Sequence, residues 1–237
     1  MVILPWDHLT DVIKNICYND YWIMRKIAIY GAGGLGREVA CVIKEINEIE
    51  LQWELVGFFD DGIEIGFKNE YGTILGGIDE LNSWNDDLSI VIGIGNPKIV
   101  RSIIDKITNS KVEFPNIIAP DVKFLDKKNF KIGHGNYINF KSSISCNVTI
   151  GSFNTIGAFA ALGHDCIIED FNTIMPSVQI CGFVEVGCDN FFGISSTVLQ
   201  MNKVGNGVTL GAGSILMKDA DDRVTYFGNP ARKLIKK

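Results

Sequence analysis

The 237-residue chain is 46% hydrophobic and 21% charged, an ordinary globular composition with room for one large or two small domains. A net charge of −6 argues against nucleic acid or an anionic membrane surface as the main partner. No apolar run approaches the roughly 18 to 20 residues that cross a bilayer, which argues against membrane insertion.

Residues 1–25 fit no element well and are read as an N-terminal extension. Pro5, Trp6, Asp7 and His8 stand where a secretion signal would be basic, and Asp11, Lys14, Asn19 and Asp20 interrupt any apolar core. A cytoplasmic location is expected. From residue 26 the pattern becomes regular. "KIAIYG" (26–31) reads as a buried strand, "GAGGLG" (31–36) as a glycine turn, and the stretch to about Glu48 as an amphipathic helix. "WELVGFFDD" (53–61) gives a second strand ending on Asp60 and Asp61. A helix near 78–85, a strand at 89–94, a helix at 97–107 and a short strand near 112–118 complete a small α/β unit over 26–115.

Gly31, Gly33 and Gly36 satisfy GxGxxG between strand and helix, where bare backbone and a helix N-terminus suit a phosphate. Asp60 and Asp61 stand where an acidic residue would meet a ribose. A full dinucleotide domain needs two βαβαβ halves, and this segment holds one. The reading therefore favours a mononucleotide or nucleotide sugar over NAD, with a turn that only packs as the alternative. A second turn, "GIGNPK" (93–98), faces the same crevice and supports binding.

From Ile132 a step of six residues lands on Ile138, Ile144, Ile150, Ile156, Leu162, Ile168, Ile174, Ile180, Val186, Phe192, Val198, Val204, Leu210 and Leu216: fifteen apolar positions without a slip. No α-helix sustains that period, but short strands wound three to a coil do, each coil covering the apolar face of the next. Asn136, Asn154, Asn172 and Asn190 recur every eighteen residues, which stacks them at one corner. The segment 116–133 starts the first coil with two extra residues. The predicted β-helix spans 116–221, the tail after Leu216 is its expected C-terminal cap, and 222–237 is read as a separate C-terminal tail.

Six cysteines, at 17, 41, 146, 166, 181 and 188, form no CxxC pair, and four of them fall inside the repeat as small apolar side chains. No zinc-type Cys/His spacing occurs, so no metal site is expected. Of three histidines, His8 lies in the extension and His134 reads as a solvated coil residue. His164, in "LGHDC" beside Asp165, is the candidate general base for an amine or hydroxyl. Neighbours on a straight strand point to opposite faces, so this pair cooperates only near a corner. Gly182, one coil above His164, can offer a backbone N–H to a thioester oxygen.

"IYGAGGLG", "GFFDD", "IGIGN", the hexapeptide array, "GHDC" and "GNPARKL" (228–234) together resemble the bacterial nucleotide-sugar acetyltransferases, the group of bacillosamine N-acetyltransferase and the sialic-acid O-acetyltransferases. The resemblance implies a small Rossmann-like domain followed by a left-handed parallel β-helix, a homotrimer with acetyl-CoA as co-substrate in the clefts between subunits, and a place in polysaccharide biosynthesis. It places the base at His164 and its carboxylate at Asp165. The nucleotide-sugar contacts it implies are Gly33, Gly34, Leu35, Asp60, Asp61 and Gly95, and the acetyl-CoA contacts are Thr173, Ile194 and Ala212. Some relatives have His where this chain has Leu35 and Thr173. "GNPAR" resembles the turn that closes over coenzyme A, with Arg232 and Lys233 available to its phosphates. N-acetylation of a nucleotide-activated amino-deoxysugar is the expected activity, and O-acetylation of a sugar or other small hydroxyl acceptor is the alternative.

Overall fold

The computed structural model describes residues 24–234. Most of the N-terminal extension, with His8 and Cys17, lies outside them, as do the last two lysines.

The first domain is an α/β unit. Strand β1 (Arg25–Tyr30) is followed by α1 (Gly34–Ile49), β2 (Trp53–Phe59), β3 (Lys68–Asn69), β4 (Gly72–Gly76), α2 (Ile78–Asn82), β5 (Leu88–Ile92), α3 (Pro97–Lys106) and β6 (Val112–Glu113). The sheet runs β3-β4-β2-β1-β5-β6, parallel except for the β3/β4 hairpin. Central β1 buries its last four residues, as a strand covered on both faces must. Ile27 and Ile29 pack against Val39, Ala40 and Ile43 of α1. Ala28 and Tyr30 join Val100 and Ile103 of α3 on the opposite face.

Two features depart from the sequence reading. The hairpin of β3 and β4 was not expected; β4 lengthens the sheet beside β2. The strand expected near 112–118 is two strands in two domains. Glu113 still pairs with β5, Pro115 offers no N–H to continue the ladder, and β7 (Ile117–Ile118) opens the solenoid.

The second domain is a left-handed β-helix of two-residue strands in three parallel sheets. Face one stacks β7, β10 (Tyr137–Ile138), β13 (Thr155–Ile156), β16 (Thr173–Ile174), β19 (Phe191–Phe192), β22 (Thr209–Leu210) and β24 (Thr225–Phe227). Face two stacks β8 (Lys123–Phe124), β11 (Ser143–Ile144), β14 (Ala161–Leu162), β17 (Gln179–Ile180), β20 (Thr197–Val198) and β23 (Ile215–Leu216). Face three stacks β9 (Lys131–Ile132), β12 (Thr149–Ile150), β15 (Ile167–Ile168), β18 (Glu185–Val186) and β21 (Lys203–Val204). Partners are eighteen residues apart along the regular coils, and the eight-residue step from Phe124 to Ile132 absorbs the two extra residues. The aliphatic ladder fills the prism: Ile138, Ile156, Ile174, Phe192 and Leu210 are fully buried on face one alone. Tyr226 and Ala231, on and beside the antiparallel pair β24/β25 (Arg232–Lys233), close the C-terminal end of that core.

Each corner turns on one residue with positive φ, three positions after the aliphatic. Twelve of these are not glycine, with φ between 56° and 63°, and Phe153, Phe159, Asp165, Phe171, Phe183 and Asp189 are among them. A left-handed backbone costs such residues about 1–2 kcal/mol. All but Asn147 are held by an N–H that donates to the coil below, as Asp165 N–H does to the Cys146 carbonyl at 2.9 Å. The two domains share cores: Ile117, Ala119 and Tyr137 pack with α1, and Phe171 and Phe153 pack with the α3 side of the sheet.

Candidate active site

The glycine turn divides by role. A Cβ on Gly36 would lie 1.9 Å from the Gly31 carbonyl oxygen, and one on Gly93 would lie 2.6 Å from Gly36 Cα. These glycines let α1 press against the strand tips. Gly33 and Gly34 meet nothing within 4 Å, so their backbone faces open space. Gly33 caps α1 without a side-chain bond, and no acidic residue occupies the first turn, leaving the positive end of the helix uncompensated.

Asp60 and Asp61 are both engaged. Asp60 accepts from the N–H of Ala32 and of Gly62, each at 2.9 Å. Asp61 accepts from the Tyr30 hydroxyl at 2.7 Å and from Ile78 N–H at 2.9 Å. Burial and that bond to Asp61 push the Tyr30 phenol far above its ordinary range, so it remains a donor. The two carboxylates thus brace the turns while lining a cleft of about 320 Å³ with Tyr30, Gly31, Ile94 and Lys98. A second cleft of about 260 Å³ joins Gly95, Asn96 and Lys98 to Asp189, Phe191 and Thr209 of the solenoid. Leu35 sits beside Gly95, 3.8 Å from where its Cβ would be, so the two turns adjoin. Lys98, common to both clefts, escaped the sequence reading. Its position two residues into the helix after the second glycine turn was the available signal.

His164 and Asp165 meet because the positive φ of Asp165 turns its side chain back at the corner between faces two and three. Nδ1 of His164 lies 2.9 Å from Oδ2 of Asp165, and Asn147, one coil below, donates to Oδ1 at 3.0 Å. The hydrogen bond from His164, then that from Asn147, holds the Asp165 carboxyl below the usual carboxylate range. The carboxylate therefore fixes Nδ1 as the protonated nitrogen and leaves the Nε2 lone pair outward. Asn147 was not foreseen, although it precedes Asp165 by one coil period. The imidazole is half exposed and rests edge-on to Phe183, ring centroids 5.0 Å apart.

Gly182 lies directly over the ring: a Cβ there would fall 2.6 Å from both Nε2 and Cε1. Its N–H donates no hydrogen bond among the described residues. Gly182→Ala should therefore displace the imidazole and lower kcat by about tenfold or more, with the fold retained; kinetics beside a thermal melt checks this. An unchanged kcat would mean that the ring has room the geometry denies it.

His134 sits at a different corner, its Nδ1 3.2 Å from Ser152 Oγ within a stacked side-chain ladder. Ile194, half exposed, and Ala212 are successive coil positions at the corner between faces one and two. Thr173 is on β16 of face one and 2% exposed. Lys233 is paired with Asp221, so its ammonium is already engaged, while Arg232 donates to the Ala231 carbonyl at 3.1 Å. Among the described residues no three His, Cys, Asp or Glu side chains converge as metal ligands, and no helix is long and apolar enough to cross a membrane.

Residues 26–107 match the PglD N-terminal domain family. The acetyltransferase domain of PglB from Neisseria gonorrhoeae, solved in complex with acetyl coenzyme A, superposes with a TM-score of 0.80 at 29% identity, covering 89% of this chain and 100% of that one. WeeI from Acinetobacter baumannii gives 0.80 at 24% identity with the same coverage, a likeness of fold. Among curated proteins, the acyl-[acyl-carrier-protein]--UDP-N-acetylglucosamine O-acyltransferase of Stutzerimonas stutzeri is 35% identical over 83 residues, 35% of this chain. The chain spans about a third of the length of that relative, 32%. Residues 26–107 are thus similar to the PglD N-terminal domain, and with its β-helix the chain shares the fold of the PglB acetyltransferase domain.

Proposed function

We propose that the protein transfers the acetyl group of acetyl-CoA to the amino group of a nucleotide-activated amino-deoxysugar, with His164 as general base. The observation that carries this reading is the His164–Asp165 pair, 2.9 Å apart, with Nε2 outward beneath the bare backbone of Gly182. Nε2 takes a proton from the amine as its nitrogen attacks the thioester carbonyl. Gly182 N–H donates to the carbonyl oxygen as charge develops there, and the tetrahedral adduct collapses with loss of coenzyme A as thiolate. Asp165, ionised through the neutral range, stabilises the imidazolium.

The nucleotide is assigned to the crevice of Gly33, Gly34, Leu35, Asp60, Asp61 and Gly95, with its phosphates at the N-terminus of α1. Support comes from the open backbone of Gly33 and Gly34 and from the cleft that Asp60 and Asp61 line. The pantetheine arm is assigned to the corner of Ile194 and Ala212. That corner and the His164 corner lie at opposite edges of face two. One protomer cannot present both to a single thioester, which supports a homotrimer with the site shared between copies. Phe159, Phe183 and Met201 at these corners are more than half exposed, apolar surface that such contacts would cover.

O-acetylation is the second reading, because the curated relatives are O-acyltransferases and imidazole serves a hydroxyl as well as an amine. A coenzyme A release assay against UDP-, GDP- and dTDP-linked amino sugars, with their hydroxy counterparts, decides between them. Turnover only with amino sugars is expected. Turnover only with hydroxyl acceptors would replace the leading reading, and failure to bind acetyl-CoA would remove both.

A further inference from the structure

One polar contact ties α3 to the solenoid, and it lies between the two parts that the reaction must bring together. Arg101, on α3, makes a two-pronged ion pair with Asp189: Nε to Oδ1 at 2.7 Å and Nη2 to Oδ2 at 2.9 Å. Its guanidinium lies 4.0 Å above the Phe171 ring. Phe171 stacks on Phe153 at 5.1 Å, and Phe153 meets Phe114 edge-on at 5.2 Å. The guanidinium is thus fixed in plane by the carboxylate and in height by the ring, a combination a lysine cannot reproduce. Asp189 and Phe171 are corner residues of successive coils, each anchored by its N–H to the coil below. The anchor is therefore a rigid part of the solenoid.

The same helix walls the crevice, and the Arg101–Asp189 pair borders its wider part together with Lys98, Ser102 and Lys106. Lys98 lines the clefts at the strand tips and along Gly95, while Ser102 and Lys106 line the first of these and the wider cleft of about 780 Å³ next to the solenoid. A rotation of α3 would carry the crevice wall with it.

We propose that Arg101 is a positioning residue for the transfer: its clamp on Asp189 and Phe171 fixes the crevice of the first domain against the β-helix, so that a sugar held by its nucleotide presents its acceptor group in register with the thioester. This rests on the preceding reading of where the nucleotide sugar lies. Nε and Nη2 of Arg101 are both committed to Asp189, so the role assigned to it acts through the placement of α3. Misplacing a bound reactant by about 1 Å can cost about 100-fold in rate, so the clamp acts on kcat and leaves binding alone.

The test uses Arg101→Met, which keeps the stem over Phe171, and Asp189→Asn, whose side chain tolerates the positive φ of 62° at that corner. In the full-length protein both should lower kcat by about 10- to 100-fold. The KM for acetyl-CoA and the calorimetric affinity for the nucleotide sugar should stay within about twofold. The charge-swapped pair Arg101→Asp with Asp189→Arg should recover part of the loss, since arginine already occupies the equivalent corner at Arg223 with φ 59°. Amide exchange in the last turn of α3, Ile103 to Lys106, should quicken in both single variants, a readout that needs no turnover. Unchanged kcat, a loss confined to KM, or a lowered melting temperature with normal kcat per folded protein would each overturn the proposal. Should the wild type acetylate none of the nucleotide sugars, the functional reading fails instead. The exchange measurement then still decides the clamp, and unaltered exchange would refute it.

Discussion

His164→Ala is expected to lower kcat by about 10²- to 10⁴-fold, the range spanned by a positioned general base. The KM for both substrates should change little, because the imidazole acts on a proton in flight and contributes little to holding either molecule. Stability should hardly move. The ring is half exposed, and its removal uncovers Asp165, which keeps the bond from Asn147. The aliphatic ladder beneath that corner is untouched, with Leu162 and Ile180 both buried. Initial-rate kinetics on the full-length protein, alongside a denaturant melt, separates these effects. A variant that keeps wild-type turnover would remove His164 from the reaction and leave the Nε2 geometry without a task. Asp165→Asn tests the partner. An amide has one oxygen for the two donors His164 and Asn147, so it turns its NH2 toward Nδ1 and favours the wrong tautomer, and it should lower kcat by an amount comparable to loss of the ring.

The period of six was sufficient to place the aliphatic rung of every strand from Ile132 to Leu216, and the position four residues after it supplies a second inward set, Val148, Ala160, Cys166, Val178, Val184 and Val208. The eighteen-residue spacing of asparagines was equally readable. Asn154, Asn172 and Asn190 each donate their backbone N–H to the side-chain oxygen of the asparagine one coil below, at 2.8 to 3.0 Å. What escaped was conformation decided by neighbours. Nothing local announces that Phe153, Phe159, Phe171 and Phe183 take a left-handed backbone, since that role normally falls to glycine or asparagine. The cross-coil bonds that enforce it are invisible without the stack. The same effect decides the candidate site: whether His164 and Asp165 can meet turns on the φ of Asp165, which the neighbouring coil sets. The hairpin of β3 and β4 was missed for a different reason. Its two-residue loop, Glu70 and Tyr71, carries none of the usual turn residues. It is held by the Asn69 side chain, which accepts from Tyr71 N–H at 2.8 Å and Gly72 N–H at 3.0 Å.

Phe192→Ala should be the most damaging single change in the solenoid. Phe192 is the one aromatic in the aliphatic ladder, fully buried on β19 between Ile174 below and Leu210 above. Truncating a buried phenylalanine to alanine costs about 3–5 kcal/mol, a large part of the 5–15 kcal/mol that a folded domain typically holds. The coil cannot collapse to refill the space, because its spacing is set by backbone bonds on all three faces; Met175 and Gly193 donate across this very rung at 3.0 and 2.7 Å. The cavity therefore stays open. In a stack where each coil contacts only its neighbours, damage at one rung also weakens the hold on everything beyond it. The coils from β22 to the Tyr226 cap should come loose at lower urea than the remainder, giving a broadened or two-step transition followed by circular dichroism. Phe192→Leu, which keeps most of the volume, should lose far less and melt in one step. Equal melting of Phe192→Ala and the wild type would mean that the interior can repack. That would contradict a prism whose coil spacing is fixed by its three sheets.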